Sequence, residues 1–290
     1  MIQFANPHTR PAVRNIWKEV FGDDDVYMDL YFAEKYEDEN TLVAVEDNNK
    51  VVASLQMLPY EITFYGSKIP FYYLAGLSTL PDYRGRGLMA QLILKSHELM
   101  LQRHIPLSIL VPAERSLFAY YARFGYAQTF RKNYIGFEFS VKEIWKNSRD
   151  ENEAYQIFDK TYNQHDFCVQ KSFSDFKTII QQENNEDFQP KLNLSGLARI
   201  IDPELLLHLY AQKHPENKFL VELQDIQFGR KLISVENGSA KLISGNFPPD
   251  FKVDEKLLVQ LLFGFRTHFM TDPFRSLFPN HNPIMNYMLE

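Results

Sequence analysis

Arg84-Gly85-Arg86-Gly87 is the stretch of this chain best equipped for chemistry. It runs directly into Leu88-Met89-Ala90-Gln91-Leu92-Ile93, which reads as the first turns of a helix. A helix N-terminus presents unpaired backbone N–H groups and partial positive charge. Glycine there lets a phosphate approach the backbone closely, and arginine adds charge and paired donors. The stretch therefore fits a pyrophosphate cradle, and the same residues would also serve as a solvated turn. Two other nucleotide motifs are excluded. There is no Gly-Lys-Ser/Thr, so it is not a P-loop, and the spacing is not Gly-x-Gly-x-x-Gly.

The elements that must position this stretch are legible by periodicity. Residues 7 to 36 read as two helices, the first closing on Gly22 and the second starting at Asp23-Asp24-Asp25. "NTLVAVED" and "KVVASLQMLPYEITFYG" read as strands around the turn Asp47-Asn48-Asn49, and "SKIPFYYLAGLSTL" as a third. The helix from Leu88 follows, with Leu88, Leu92 and Leu99 on its buried face. "IPLSILV" is a strand, "AERSLFAYYARFGY" a short helix ending at Gly125, and "NYIGFEFS" a strand. Residues 141–190 read as a polar helical connection. From 191 onward come a strand and helix in "SGLARIIDPELLLHLYAQKH", three short alternating strands, and helical "DEKLLVQLLFGFR" and "FRSLFP". Residues 1–140 make an α/β or α+β unit around one sheet, with a smaller second unit at 191–290, and α+β is the class expected of the whole.

Bulk properties narrow the partners. The chain has 290 residues, 45% of them hydrophobic, and a formal net charge of -6. That balance argues against nucleic acid, whose phosphates demand clustered Lys and Arg. It is compatible with a cationic small molecule. The single cysteine, Cys168, excludes an intramolecular disulfide and a cysteine-centred metal cluster, and reads as structural. His208, His214, His268 and His281 show no metal-ligand spacing, so no metal is expected. His97 and His104 are expected at the surface or as caps. Glu114 opens a helix near the site and suits either an acceptor pocket or helix-end electrostatics. No charged-then-apolar leader opens the sequence and no apolar run reaches about 18 residues, so the expectation is a cytoplasmic protein without a membrane span.

The motif resembles the acetyl-CoA loop of the GNAT acetyltransferase superfamily, Arg/Gln-x-x-Gly-x-Gly/Ala. Arg84-Gly85-Arg86-Gly87-Leu88 matches its first five places, and Met89 stands where Gly or Ala is usual. A bulky apolar residue there is similar to the Eis-like branch. "LAGLSTLPDYR" resembles that family's strand into the cofactor loop, and "YYARFGY" its Tyr-x-Arg-Phe-Gly-Tyr stretch. "GLARIIDPELLLHL" and "LLVQLLFGFR...SLFP" resemble the sterol-carrier-protein-like domain that ends Eis-like chains. Longer relatives carry a second acetyltransferase-like domain where this chain has only 141–190.

The resemblance implies acetyl-CoA as cosubstrate and a primary amine, on a small molecule or a lysine side chain, as acceptor. A homo-oligomer is compatible with it. The strand end Leu77-Ser78-Thr79 would hold the pantetheine arm and the thioester carbonyl, through the backbone of Leu77 and Thr79. The N–H groups of Arg84, Gly85, Arg86, Gly87, Leu88 and Met89 would take the pyrophosphate. Tyr121 would be the general acid, with Tyr120 and Tyr126 as alternatives, since a phenol stays protonated at neutral pH. Glu290 would bring the chain-end carboxylate as base. The competing expectation is a non-catalytic acyl-CoA- or lipid-binding protein.

Overall fold

The computed structural model describes residues 1–46, 49–132, 141–183 and 194–288. The expected strand "NYIGFEFS", most of the turn at Asp47-Asn48-Asn49 and Glu290 lie outside the described residues. The fold is α+β. By its contacts the chain divides into two compact units, Met1–Pro59 with Tyr72–His104, and Tyr60–Phe71 with Ile105–Met288.

The first unit holds β1 (Ile2–Phe4), α1 (Arg10–Phe21), α2 (Asp25–Glu34), β2 (Thr41–Val45), most of β3 (Val51–Phe64), the second half of β4 (Ser67–Thr79) and α3 (Leu88–Gln102). The strands lie in the order β1-β2-β3-β4. β2 is antiparallel to both β1 and β3, with Gln3 opposite Val43 and Val43 opposite Ser54. Every residue of β2 is buried, as in a strand covered on both faces. α1 buries Val13, Ile16 and Trp17 at helical spacing and ends on Gly22 in the left-handed conformation. Each such side chain contributes about 1.5–3 kcal/mol when fully buried. α2 starts where the Asp24 carboxylate accepts the Tyr27 N–H.

The second unit begins at the far end of the β3–β4 hairpin, turned through Tyr65 (φ 50°) and Gly66 (φ 79°). Two positive φ values in a two-residue loop match the right-handed strand twist. It continues with β5 (Leu107–Leu110), α4 (Leu117–Ala122), β6 (Ala127–Gln128), α5 (Val141–Asn147), α6 (Glu151–Asn163), β7 (Val169–Gln170), α7 (Phe173–Glu183), β8 (Leu197–Ile200) and α8 (Pro203–Lys213). Then come β9 (Phe219–Asp225), β10 (Gly229–Glu236), β11 (Ser239–Leu242), β12 (Phe251–Asp254), α9 (Glu255–Leu262) and α10 (Phe274–Leu277). β7 pairs with β3, Ile62 opposite Val169. α5, α6 and α7 share a core of Ala154, Phe158, Phe176, Ile179 and their neighbours, joined by Cys168 and Ile284. A separate four-stranded sheet runs β11-β10-β9-β12. α9 packs on β6 and β8 and also on β9 and β12.

These units cut across the sequence division at 140 and 191. β8 lies between β5 and β6, antiparallel to each, with Arg199 opposite Ser108 and Ala198 opposite Ala127. Ladder hydrogen bonds to strands far away in sequence therefore tie the segment after 194 to the one before 132. No described helix is long and apolar enough to cross a membrane.

Candidate functional site

In the first unit, β4 leads into a short turn, Pro81–Tyr83, and then into Arg84 to Gly87 and α3. The turn closes by Tyr83 N–H to Leu80 O and Arg84 N–H to Pro81 O. Gly85 (φ 77°) and Gly87 (φ 75°) both occupy the left-handed region, and nothing lies within 4 Å of the Cβ that either would carry. Backbone conformation, not crowding, requires glycine at both, and the space beside them is open. Gly87 is the N-cap of α3 and supplies no side-chain cap. Among the described residues, the N–H groups of Gly85, Arg86, Gly87, Leu88, Met89 and Ala90 donate to no acceptor; the first closing bond is Gln91 N–H to Gly87 O. Successive free N–H groups on a left-handed turn at a helix start form an anion-binding concavity.

The two arginines brace this loop from outside. Arg84 Nε donates to Thr79 O at 3.2 Å. Arg86 donates from Nη2 to Asp82 O at 2.9 Å and lies 4.6 Å over the Tyr83 ring. Lys50 covers the same ring at 5.1 Å. Both arginines are exposed, and Arg86 Nη1 also lies 3.9 Å from the Glu46 carboxylate.

Upstream, β4 bends at Gly76, whose φ is +58°. A Cβ there would meet the Trp17 ring at 2.6 Å and Gln56 Nε2 at 2.8 Å. Trp17 is fixed by its indole N–H to Asp23 Oδ2 at 2.6 Å, and Gln56 by accepting the Tyr31 hydroxyl at 2.9 Å. The sequence reading missed Gly76, Trp17 and Gln56; a lone glycine inside a strand pattern was the available signal. Past the bend, Leu77 and Thr79 are partly exposed, while Ser78 is buried with its hydroxyl on Ser54 at 3.0 Å. Ser78 can contribute backbone only.

Tyr121 belongs to the second unit, in the last turn of α4. Its ring is buried against Tyr120 and Tyr126, and its hydroxyl makes no hydrogen bond to another described residue. Burial pushes the phenol above its ordinary range, with the neighbouring Tyr120 adding to the shift. The group therefore stays protonated and uncommitted at neutral pH. Tyr126 is committed instead: it is fully buried and its hydroxyl pairs with Ser108 Oγ at 2.6 Å. Tyr120 is half-buried beneath the Arg123 guanidinium.

His97 corrects the expectation of a surface or capping residue. It is fully buried, on the α3 face with Ile93 and Met100, because its i, i+4, i+7 relation to them places it inside. His104 is exposed, with φ 57°. Glu114 is exposed and accepts the Ser116 hydroxyl. Cys168 is buried and its thiol is pushed up to about 12 by desolvation, which leaves it unreactive. No group of three or more His, Cys, Asp or Glu among the described residues could hold a metal.

Residues 2–129 match the family model described as acetyltransferase (GNAT) domain. No curated protein matches the chain. Among solved structures, a conserved protein of unknown function from Enterococcus faecalis V583, a probable N-acyltransferase, superposes with a TM-score of 0.68 at 11% identity, over 99% of this chain and 98% of that one. Eis1 from Mycobacterium abscessus gives 0.64 at 13% identity, over 99% of each chain. A GCN5-related N-acetyltransferase from Kribbella flavida gives 0.60 at 14%, over 98% of each. At these identities the likeness is one of fold.

Proposed function

We propose that the chain is an acetyl-CoA-dependent N-acetyltransferase acting on a primary amine of a small molecule or a lysine side chain. The observation that carries this reading is the loop before α3. It has two left-handed glycines with open space beside them, a run of unpaired N–H groups and two outward arginines, inside the region matched by the GNAT family model. Bound acetyl-CoA would supply the thioester. The N–H groups from Arg84 to Met89 would hold the pyrophosphate, and the backbone of Leu77 and Thr79 the pantetheine arm and thioester carbonyl. Tyr121 would give its proton to the departing thiolate, its phenol being protonated at neutral pH and its hydroxyl bonded to no described residue. The base stays unassigned, since Glu290 lies outside the described residues. The four-stranded sheet with α8 packed on β10 and β11 supports the sterol-carrier-like reading of the C-terminal part, and a cytoplasmic setting goes with it.

The test is titration of CoA into the wild type and Gly87→Val, with thiol release from acetyl-CoA measured over a polyamine and aminoglycoside panel. A β-branched residue is strained at φ 75°, yet its Cβ meets nothing, so the variant should fold and bind CoA far more weakly. Unchanged CoA affinity in folded Gly87→Val would sink the cradle. CoA binding without thiol release for any amine would favour the non-catalytic reading.

A further inference from the structure

We infer that Arg199 of β8 is the positioning residue that fixes the segment carrying Tyr121. The inference rests on the reading of Tyr121 as proton donor. Arg199 is fully buried, and its Nη2 is held by both oxygens of Asp225, at 2.9 and 3.1 Å. Asp225 is itself fixed, accepting the backbone N–H groups of Gln227 and Phe228 at 2.8 Å each. The guanidinium is thus a clamped, rigid plane. Its Nε and Nη1 make no hydrogen bond to any described residue.

Nη1 faces the backbone of Gly125. A Cβ on Gly125 would lie 2.1 Å from Arg199 Nη1 and 2.9 Å from its Cζ, with Glu255 Cγ at 2.6 Å. Gly125, at φ +83°, therefore rests directly on the guanidinium. The turn it closes reaches back to Tyr121. Gly125 N–H bonds Ala122 O at 3.2 Å, and Phe124 and Tyr126 N–H both bond Tyr121 O, at 2.9 and 3.4 Å. Tyr126 is pinned in turn to Ser108, the cross-strand neighbour of Arg199. One rigid floor thus sets the height of the turn, and the turn sets Tyr121.

Stability alone does not account for this arginine. A buried ion pair with orphaned donors is no more stable than an apolar side chain of the same volume. What an apolar chain would not supply is a flat plane locked in place by a two-pronged clamp.

The test is R199M/D225N, which removes the charge pair together so that neither partner is left uncompensated, and keeps an acceptor for Gln227 and Phe228. Acetyl transfer should lose about 10- to 100-fold in kcat, the cost of a misplaced catalytic group, with KM for acetyl-CoA and the unfolding temperature retained. The 19F resonance of 3-fluorotyrosine placed at 121 should shift or broaden. If R199M/D225N does not fold, Arg199→Lys keeps the positive charge opposite Asp225 while removing the planar guanidinium and gives the same readouts. An unchanged 19F resonance, or a loss of activity matched by loss of folded protein, overturns the inference. Absence of acetyl transfer in the wild type would overturn the function instead, while the 19F arm still judges Arg199.

Discussion

Gly87 and Gly125 share a left-handed backbone, but what surrounds each decides what its substitution costs. An alanine at either must enter a region that costs L-residues roughly 1–2 kcal/mol. At Gly87 that is the whole penalty, because nothing lies within 4 Å. At Gly125 the added methyl would also enter the Arg199 guanidinium and the Glu255 side chain. Such overpacking adds about 1–3 kcal/mol. Urea unfolding of Gly87→Ala and Gly125→Ala should separate them by that margin, and equal losses would mean Arg199 yields freely. Tyr121 allows a cleaner probe of chemistry. Tyr121→Phe removes one hydroxyl that bonds no described residue, so folding should be unaffected. Loss of a general acid should lower kcat about 10²-fold with CoA affinity kept. Near-normal turnover would hand the role to Tyr120 or water, since the Tyr126 hydroxyl is already paired with Ser108.

α9 shows how much of an element is written locally. Asp254 is its N-cap and accepts Leu257 N–H at 2.7 Å, while Leu258, Val259, Leu261 and Leu262 are buried. Asp254→Ala should cost about 1 kcal/mol, read as a lower urea midpoint at unchanged slope. An unchanged midpoint would mean the packing alone sets the helix start. The apolar spacing and the acidic start made this helix legible, and apolar spacing alone did so for α1 and α3. The turn from Arg84 to Gly87 before α3 was legible too, since glycines ahead of an apolar run mark a turn into a helix. β1, three residues long, is too short for alternation to register, and β12 buries only Val253 of its four residues, which leaves no alternating pattern to read. The insertion of β8 between β5 and β6 has no local signal either, because pairing over a long sequence separation leaves no mark on the pairing residues themselves. Gly125 was read only as a helix terminator. Its second constraint comes from Arg199, which no motif adjoining Gly125 announces. His97 was a misreading of a visible stripe, not a missing signal.

For the molecule as a whole, stability should fall in two separate steps on acidification, each tied to a named group. His281 stacks on Phe167 at 4.4 Å, and its Nε2 has no partner among the described residues. Burial lowers its pKa below 6.5; nearby Asp166 opposes that shift and nearby His214 adds to it. An unfolded chain would protonate this histidine near 6.5, whereas the folded one resists. Its contribution is therefore complete above 6.5 and is lost as pH falls from there toward the folded value. Glu222 acts lower down. Arg230 at 2.8 Å and Lys252 at 3.1 Å, with Gln224, hold its carboxyl at about 2 against an ordinary 4.5. Its contribution is present above 4.5 and is lost as pH falls from 4.5 toward 2. His281→Gln, neutral at every pH, should flatten the upper step and leave the lower one; Glu222→Gln should leave the upper step and make the lower one shallower, since Asp225, whose carboxyl is also held low, still titrates there. Urea midpoints taken from about pH 8 down to about pH 3 would show both, since midpoint at constant slope tracks stability. If His281→Gln keeps the full slope just below 6.5, the titrating group is elsewhere, and the stacked ring on Phe167 is no more than packing.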